Sequence, residues 1–340
     1  MPKFSIPTCY FPSTILFVDD SREFLINFTL QLADNVSYRT YDSPFEALEA
    51  LQELDHRANE LMGRCVSEYH ETTSSPLTNQ TVNLDLSAIH SEVYNPNRFS
   101  EVSVVVVDYS MPGMHGIEFC EQIKNEQVQK ILLTGQADEK LAVDAFNEGV
   151  IQRYIQKSHP NILQHVLDNI AMLQAHYFQN MSEIATQMLA VSAPVCLQDA
   201  AFADAFRAYR VKHHVVEFYL LESSGSFLML TEQGEISFFI VKSEQDLQMY
   251  YDLANDVQAP KTVLEQLAKG DKIPIMADLS REALQNQRWE DCLLPAQRME
   301  GRQTYYYAVT DCYPAYPIDP SQISSYRHYL TTMDYQPFAN

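Results

Sequence analysis

Polar residues of chemically useful types follow four short apolar segments in the first half of the chain. They are Asp19 and Asp20 after residues 15–18, Asp108 after residues 102–107, Thr134 after residues 131–133, and Lys157 after residues 154–155. Because parallel strands end at the same edge of a sheet, we expect these side chains to meet there. Carboxylates, a hydroxyl and an ammonium at one edge are the groups needed to phosphorylate an aspartate.

Each side-chain type has a task in that chemistry. Crowded carboxylates such as Asp19, Asp20 and Asp108 repel one another, and a divalent cation relieves the repulsion. Mg²⁺ suits an oxygen-rich site and accepts phosphoryl oxygens, so it would neutralise charge as phosphate moves onto Asp108. Lys157 would give the phosphoryl group a positive point charge, and the Thr134 hydroxyl would donate a hydrogen bond to it.

The same residues have structural interpretations when they are taken singly. Asp19 and Asp20 could merely cap the helix that follows them, and Thr134 and Tyr154 could be packing residues. The hypothesis of a phosphoacceptor therefore depends on the joint occurrence of these residues with Asp108 and Lys157.

Strand and helix patterns alternate from residue 13 to about residue 180, which predicts a doubly wound, five-stranded parallel α/β domain. The β-branched run at residues 102–107 is typical of a central strand that is covered on both faces. Ser43, Pro44 and Glu46 form a helix-start signature after the second strand. This fold would bring the candidate residues to one edge of the sheet.

Residues 13–160 resemble a bacterial response-regulator receiver domain of the two-component type. The resemblance covers the acidic pair, the acceptor Asp108 with its Met-Pro-Gly turn, the hydroxyl residue, an aromatic residue and the lysine, in that order. It implies that a sensor histidine kinase phosphorylates Asp108 in a phosphorelay. It also implies that Thr134 moves toward the phosphate and that Tyr154 turns inward as a switch.

The resemblance further implies a Mg²⁺ cofactor. Asp20, Asp108 and the backbone carbonyl of Ser110 would bind the ion, and Asp19 would contribute through water. The sequence departs from the family at Ser158, where a proline usually follows the lysine and gives a cis peptide bond. Ser110 and Gln136 hold positions that influence hydrolysis of the acyl phosphate in the family.

Two additions extend this receiver pattern. Residues 56–100 are an insertion that we interpret as a helical arm folding back, either as a partner surface or as a packing elaboration. Residues 161–192 predict an extended helical linker with an apolar seam, listed in order as Ile162, Val166, Ile170, Leu173, Tyr177, Met181, Ile184 and Met188. The seam could pair with the same seam of a second copy of the chain or dock on the next domain, and we expect a phosphorylation-dependent homodimer.

Residues 193–340 predict an α+β output domain with a helix followed by three strands joined by short turns. This order is similar to the core of PD-(D/E)xK nucleases, in which an acid and a Glu-x-Lys pair hold a metal. Lys242 stands at a suitable strand end, but position 240 is isoleucine rather than an acid. Glu222 and Lys242 are therefore only weak candidates, and the site of the output domain stays unknown.

Composition limits the function classes. The 340-residue chain has a formal charge of −22, and residues 181–340 alone carry −9, with 12 Lys/Arg against 21 Asp/Glu. This sign slows encounter with DNA. We therefore expect a protein-interaction output without enzymatic turnover, beyond receiver-type phosphoryl acceptance and autodephosphorylation. The alternative is a nucleic-acid-binding or degenerate nuclease-like module that controls gene expression.

Location and biological role follow from weaker signals. The N-terminus lacks a signal-peptide pattern, and the six cysteines form no CxxC pair. We expect a cytoplasmic protein with reduced thiols and no membrane association. The long insertion and the acidic output also resemble response regulators of quorum sensing, which implies control of density-dependent behaviour.

Overall fold

The computed structural model describes residues 6–68, 82–84, 86–135, 138–188, 195–222, 224–286 and 288–333. In chain order, its strands are β1 (Cys9–Tyr10), β2 (Thr14–Val18), β3 (Tyr38–Tyr41), β4 (Val66–Glu68), β5 (Val82–Leu84), β6 (Val102–Asp108), β7 (Gln129–Thr134), β8 (Arg153–Gln156), β9 (Val215–Leu220), β10 (Phe227–Thr231), β11 (Ile236–Ser243), β12 (Lys272–Pro274), β13 (Leu293–Pro295), β14 (Gln297–Glu300) and β15 (Thr304–Thr310). The α-helices are α1 (Arg22–Thr29), α2 (Pro44–Cys65), α3 (Leu86–Ser91), α4 (Gly116–Gln122), α5 (Glu139–Asn147), α6 (Ile162–Met188), α7 (Ala200–Lys212), α8 (Glu244–Asp256), α9 (Lys261–Lys269), α10 (Arg281–Asn286) and α11 (Tyr326–Thr332). Short 3₁₀ turns are formed by Glu92–Tyr94, Arg98–Ser100, Val195–Gln198, Trp289–Cys292 and Pro320–Gln322.

Five parallel strands form the sheet of the first half, in the order β3-β2-β6-β7-β8. Successive side chains of β6 point to opposite faces of the sheet, and its β-branched run is buried throughout. Val104 and Val106 share a core with residues of α1 and α6, whereas Val105 and Val107 share a core with residues of α2, α4 and α5. The sheet is covered on both faces, and the predicted doubly wound fold is confirmed.

The insertion returns to the second half of the chain. Helix α2 extends to Cys65, β4 and β5 form an antiparallel pair, and α3 with two 3₁₀ turns leads back to β6. Ile89, Val93 and Phe99 of the returning segment are buried in a core that they share with the second sheet. The polar stretch predicted within the insertion lies largely outside the described residues.

A six-stranded antiparallel sheet, in the order β1-β9-β10-β11-β15-β14, forms the second half together with α7 to α11, which confirms the predicted α+β class. The three predicted hairpin strands are β9, β10 and β11. Strand β1 was not predicted, and it adds the N-terminal segment to the edge of this sheet. Cys9 lies opposite Tyr219, and the backbone N–H of Leu220 donates to the carbonyl of Thr8 at 2.7 Å.

Helix α6 connects the two halves without a break. Val166, Ile170 and Leu173 of its apolar seam are buried in the core of the parallel sheet. Tyr177 and Met181 are buried in the core of the second sheet. The described side chains of the seam therefore dock within the chain. No helix in the described part of the chain has both the length and the apolar character needed to cross a membrane.

Arg98 and Glu217 form an ion pair that is fully buried between the insertion and β9, with both side chains 0% exposed. The Arg98 guanidinium donates to the two Glu217 oxygens at 2.9 and 3.2 Å. The Tyr219 hydroxyl donates to the same carboxylate, and Arg98 also donates to the carbonyls of Asn95 and Ser324. Burial raises the pKa of Glu217, and the neighbouring Arg98 opposes that rise. Losing one partner would leave the other charge buried and uncompensated.

Replacing Arg98 by Met should lower the free energy of unfolding by about 3–5 kcal/mol, because the Glu217 carboxylate then has no counter-charge. The Arg98→Met/Glu217→Leu double variant should regain most of that loss, since both buried charges are gone. Fluorescence of Trp289 during urea titration measures the effect, because this residue is the single tryptophan and is buried in the second half.

The matched control for this experiment is Arg207→Met, which removes one partner of an exposed ion pair with Asp204. It should change stability by less than about 0.5 kcal/mol. An Arg98→Met variant as stable as the control would show that the buried pair does not hold the two halves together.

Candidate functional site

Three carboxylates lie together at the carboxyl edge of the parallel sheet. Asp108 is the last residue of β6, and Asp19 directly follows β2. Both are buried, whereas Asp20 is exposed at the rim. One oxygen atom from each of the three residues lies within 4.8 Å of the others. The strand ends therefore produce the acidic cluster that the sequence predicts.

Backbone groups orient the two buried carboxylates. The N–H of Ser21 donates to Asp19 at 3.0 Å, and the N–H of Ser110 donates to Asp108 at 3.0 Å. The turn after Asp108 needs glycine twice. Gly113 has a φ of +81°, and a Cβ on Gly116 would lie 2.3 Å from the Asp108 carbonyl oxygen. Only glycine allows α4 to begin so close to β6.

Lys157 joins Asp19 to Asp108. Its Nζ lies 2.6 Å from Asp19 Oδ2 and 2.7 Å from Asp108 Oδ1. Burial raises the pKa of the Asp19 carboxyl, and Lys157 offsets only part of that rise. Burial alone would lower the pKa of Lys157, but its hydrogen bonds to both carboxylates outweigh burial and leave the pKa raised. The ammonium is therefore held charged beside the two buried acids.

Thr134 is the last residue of β7 and borders the site. Its side chain is fully buried, and its hydroxyl has no hydrogen-bond partner among the described residues. The backbone N–H of Lys157 donates to the Thr134 carbonyl at 2.9 Å, which fixes the two residues side by side. A buried hydroxyl without a partner is costly, so this group is suited to an acceptor atom that arrives with a ligand.

Tyr154 lies on β8, next to this cluster along the sheet. Its side chain is half-buried, and its ring meets that of Phe146 at 6.3 Å and 72°. The described residues contain no cis peptide bond, so the bond between Lys157 and Ser158 is trans. Gln136, at a position that the receiver-domain resemblance links to acyl-phosphate hydrolysis, lies outside the described residues.

The donor set fits a small, hard divalent cation. Carboxylate oxygens are the ligands that Mg²⁺ prefers, and the exposed Asp20 leaves one side of the cluster open to water, which Mg²⁺ retains. A cation here would also relieve the mutual repulsion of the acids. The cluster can therefore hold Mg²⁺, with the Ser110 carbonyl as a further predicted ligand.

The two weak candidates of the second half also meet. Lys242 Nζ lies 2.9 Å from Glu222 Oε2 and 3.3 Å from the Tyr313 hydroxyl, which itself donates to Glu222. Lys242 is buried, and Ser224 donates a further hydrogen bond to Glu222 at 2.6 Å. The positive charge of Lys242 and the negative charge of Glu222 therefore compensate each other. Among the described residues, the acidic cluster of the first half is the one group of His, Cys, Asp and Glu with metal-binding geometry.

One residue beside the acidic cluster was not predicted from the sequence. The Phe24 ring lies under the Lys157 ammonium, with Nζ 4.6 Å from the ring centroid. The sequence spacing could have indicated this position, because Phe24 follows the helix cap Ser21 by three residues and Ser21 directly follows Asp20. Such a position lies on the first turn of α1, close to the strand end.

Comparisons with known proteins match part of the first half of the chain and, in one case, nearly the whole chain. A family model described as "Response regulator receiver domain" matches residues 71–168. The solved structure of the Legionella pneumophila response regulator LqsR is similar, with 47% identity, a TM-score of 0.83 and coverage of 99% of each chain. The hydrogenase transcriptional regulatory protein HoxA of Cupriavidus necator is 29% identical over 100 residues, which span 28% of this chain and 20% of HoxA.

Replacing Glu222 by Gln should lower the free energy of unfolding by about 1–3 kcal/mol at neutral pH, because Lys242 is then buried without a counter-charge. Burial alone would raise the pKa of Glu222, but Lys242 and its hydrogen-bond donors outweigh burial and leave the pKa lowered. The contribution of Glu222 is therefore present above its ordinary pKa of 4.5 and is lost as pH falls through the lower folded value.

The measurement is a series of urea titrations of wild type and Glu222→Gln from neutral to acidic pH. The stability difference should shrink once the pH falls below 4.5, the ordinary pKa of the group. Glu265→Gln, at an exposed position of α9, is the control and should change stability little at any pH. A difference that stays constant into the acid range would contradict a charged pair.

Proposed function

This chain belongs to the response-regulator family, and from that premise we propose that it is a switch controlled by phosphorylation of Asp108. The observation that supports this proposal best is the Lys157 ammonium, which lies 2.7 Å from Asp108 and 2.6 Å from Asp19. Beside it, the Thr134 hydroxyl is buried without a partner in the described structure. A phosphoryl group on Asp108 would supply acceptors for both donors.

The phosphate donor in this proposal is a sensor histidine kinase that carries a phosphohistidine. An Asp108 carboxylate oxygen attacks phosphorus, the phosphorus–nitrogen bond breaks, and the imidazole leaves. Mg²⁺ held by Asp19, Asp20, Asp108 and the Ser110 carbonyl would neutralise charge on the transferring group. Lys157 exchanges a carboxylate contact for a phosphoryl oxygen, and hydrolysis of the mixed anhydride later restores the free Asp108.

The response to phosphate begins at Thr134. Its hydroxyl donates to a phosphoryl oxygen and draws the end of β7 toward Asp108. Tyr154 then turns inward and changes its contact with Phe146 on α5. Helix α6 begins five residues beyond Lys157, and its Tyr177 and Met181 pack in the core of the second sheet, so it supplies a covalent route from the acceptor to the output.

The proposed active state is a homodimer. Leu141, Phe146 and Met172 are large apolar side chains that stay between 42% and 49% exposed on α5 and α6. Phe146 meets the ring of Tyr154, and the Arg153 guanidinium reaches the sulfur of Met172 at 3.8 Å. An apolar surface beside the proposed switch residue is a suitable place for phosphate-dependent contact between copies.

The proposed output is a protein-interaction module that acts in the cytoplasm, with quorum sensing as its biological setting. Glu222 and Lys242 pair with each other, but position 240 is isoleucine where a PD-(D/E)xK metal site needs a second acid, which favours a binding role over cleavage. The acidic charge of the second half argues against DNA as the partner. DNA retention that falls steeply with salt would instead favour the nucleic-acid alternative.

Incubation with acetyl phosphate and Mg²⁺ should add one phosphoryl group, which intact mass spectrometry detects. The Asp108→Asn variant should show no adduct, because it lacks the attacking oxygen. Asp20→Asn should be phosphorylated more slowly, since it loses a predicted Mg²⁺ ligand, and Asp34→Asn is the exposed acidic control. An adduct that survives Asp108→Asn would place the phosphate elsewhere and overturn the proposal.

Light scattering after size-exclusion chromatography should show a larger mass for the phosphorylated chain than for the unmodified one at micromolar concentration. Leu141→Asp should keep the chain monomeric, because it places a charge on the proposed apolar surface. Leu30→Asp is the matched control, since Leu30 is 78% exposed at the C-terminal cap of α1. A monomer in both phosphorylation states would remove the dimer from the proposal.

A further inference from the structure

The Lys157 ammonium has a third neighbour besides its two carboxylates. Its Nζ lies 4.6 Å from the centroid of the Phe24 ring, so the ammonium faces the electron-rich surface of the ring. The Lys157 side chain is 30% exposed, which leaves it partly shielded from water. The attraction between a cation and a ring is stronger when water is partly excluded.

The Phe24 ring is held from two directions. The backbone N–H of Phe24 donates to the cap hydroxyl of Ser21 at 3.2 Å, which fixes the first turn of α1 relative to the strand end. The ring stacks on Phe28 at 5.7 Å, and Phe28 meets Phe17 of β2 at 5.3 Å. Phe24 is therefore a rigid surface under a flexible lysine.

The ring suits a lysine that has to change partners. A carboxylate holds an ammonium through directed hydrogen bonds, and these break when a phosphoryl oxygen takes their place. The ring face attracts the same ammonium without offering a strong acceptor that would compete with phosphate. It also restricts the four-carbon stem of Lys157, which otherwise has many rotamers.

We propose that Phe24 is a positioning residue that holds Lys157 over Asp108 while phosphate is transferred. The proposal rests on the proposed function, because it assigns Phe24 a role in phosphorylation of that aspartate. Phe24 acts only through Lys157, and it does so by presenting the face of an aromatic ring rather than by filling space. An aliphatic residue of similar volume should therefore fail where another aromatic residue succeeds.

The test compares rates of phosphorylation by acetyl phosphate with Mg²⁺ in Phe24→Leu, Phe24→Tyr and the control Leu173→Ala. Phe24→Leu should react about two- to fivefold more slowly, the factor that corresponds to losing one partly exposed cation–ring contact. Phe24→Tyr should stay near the wild-type rate. Leu173→Ala removes a buried side chain of α6 from the core that Phe24 packs against, and it should lower thermal stability while leaving the rate near that of wild type.

A second measurement detects the contact without phosphate. Ring currents from Phe24 should shift the ε-methylene protons of ¹³C-labelled Lys157 upfield in NMR spectra of wild type and Phe24→Tyr, but not of Phe24→Leu. Equal rates in Phe24→Leu and an active wild type, or equal shifts in all three, would overturn this proposal alone. A wild-type chain that accepts no phosphate, while the shift is present, would instead overturn the proposed function and leave the contact without that role.

Discussion

The first half of the molecule depends on the contact of one ammonium with two buried carboxylates. Asp19 and Asp108 lie at the ends of neighbouring parallel strands, and the fold alone would bring their negative charges together. Lys157 compensates them from the end of β8. Because these bonds involve atoms from three strand ends, any group that takes Lys157 away from one carboxylate also changes the balance of charge at the other.

The opposite edge of the same sheet carries the contact with the second half. Ser37, just before β3, donates its backbone N–H to the Tyr326 hydroxyl at 3.0 Å, and Thr14 at the start of β2 lies 3.3 Å from the Tyr329 hydroxyl. Arg98, shortly before β6, reaches Glu217. The sheet thus separates an acidic edge that is open to ligands from an edge that is closed by domain contacts.

Local patterns were sufficient to predict the parallel sheet and the position of its acidic cluster. The runs that end at Asp19, Asp108 and Thr134 are short and apolar, so the strands and the edge at which they end follow from them. Pairing of β1 with β9 could not be predicted, because two residues carry no periodicity and their partner lies about two hundred positions away. Likewise, Glu222 and Lys242 were singled out by type, but only the fold shows that Tyr313 completes a closed pair.

The apolar seam of α6 gives the same pattern in the sequence whether it pairs with a second copy or packs inside one chain. In the structure, Tyr177 and Met181 are buried beside the second sheet. Pairing through these residues would first expose them, and the free energy of that exposure opposes the dimer. Asp108 lies at the opposite edge of the parallel sheet. Its phosphorylation can favour the paired α6 over the packed α6 only by as much as it stabilises one arrangement more than the other. A dimer contact through the exposed side chains of α5 and α6 would leave Tyr177 and Met181 buried. It would therefore cost less free energy than pairing through the seam.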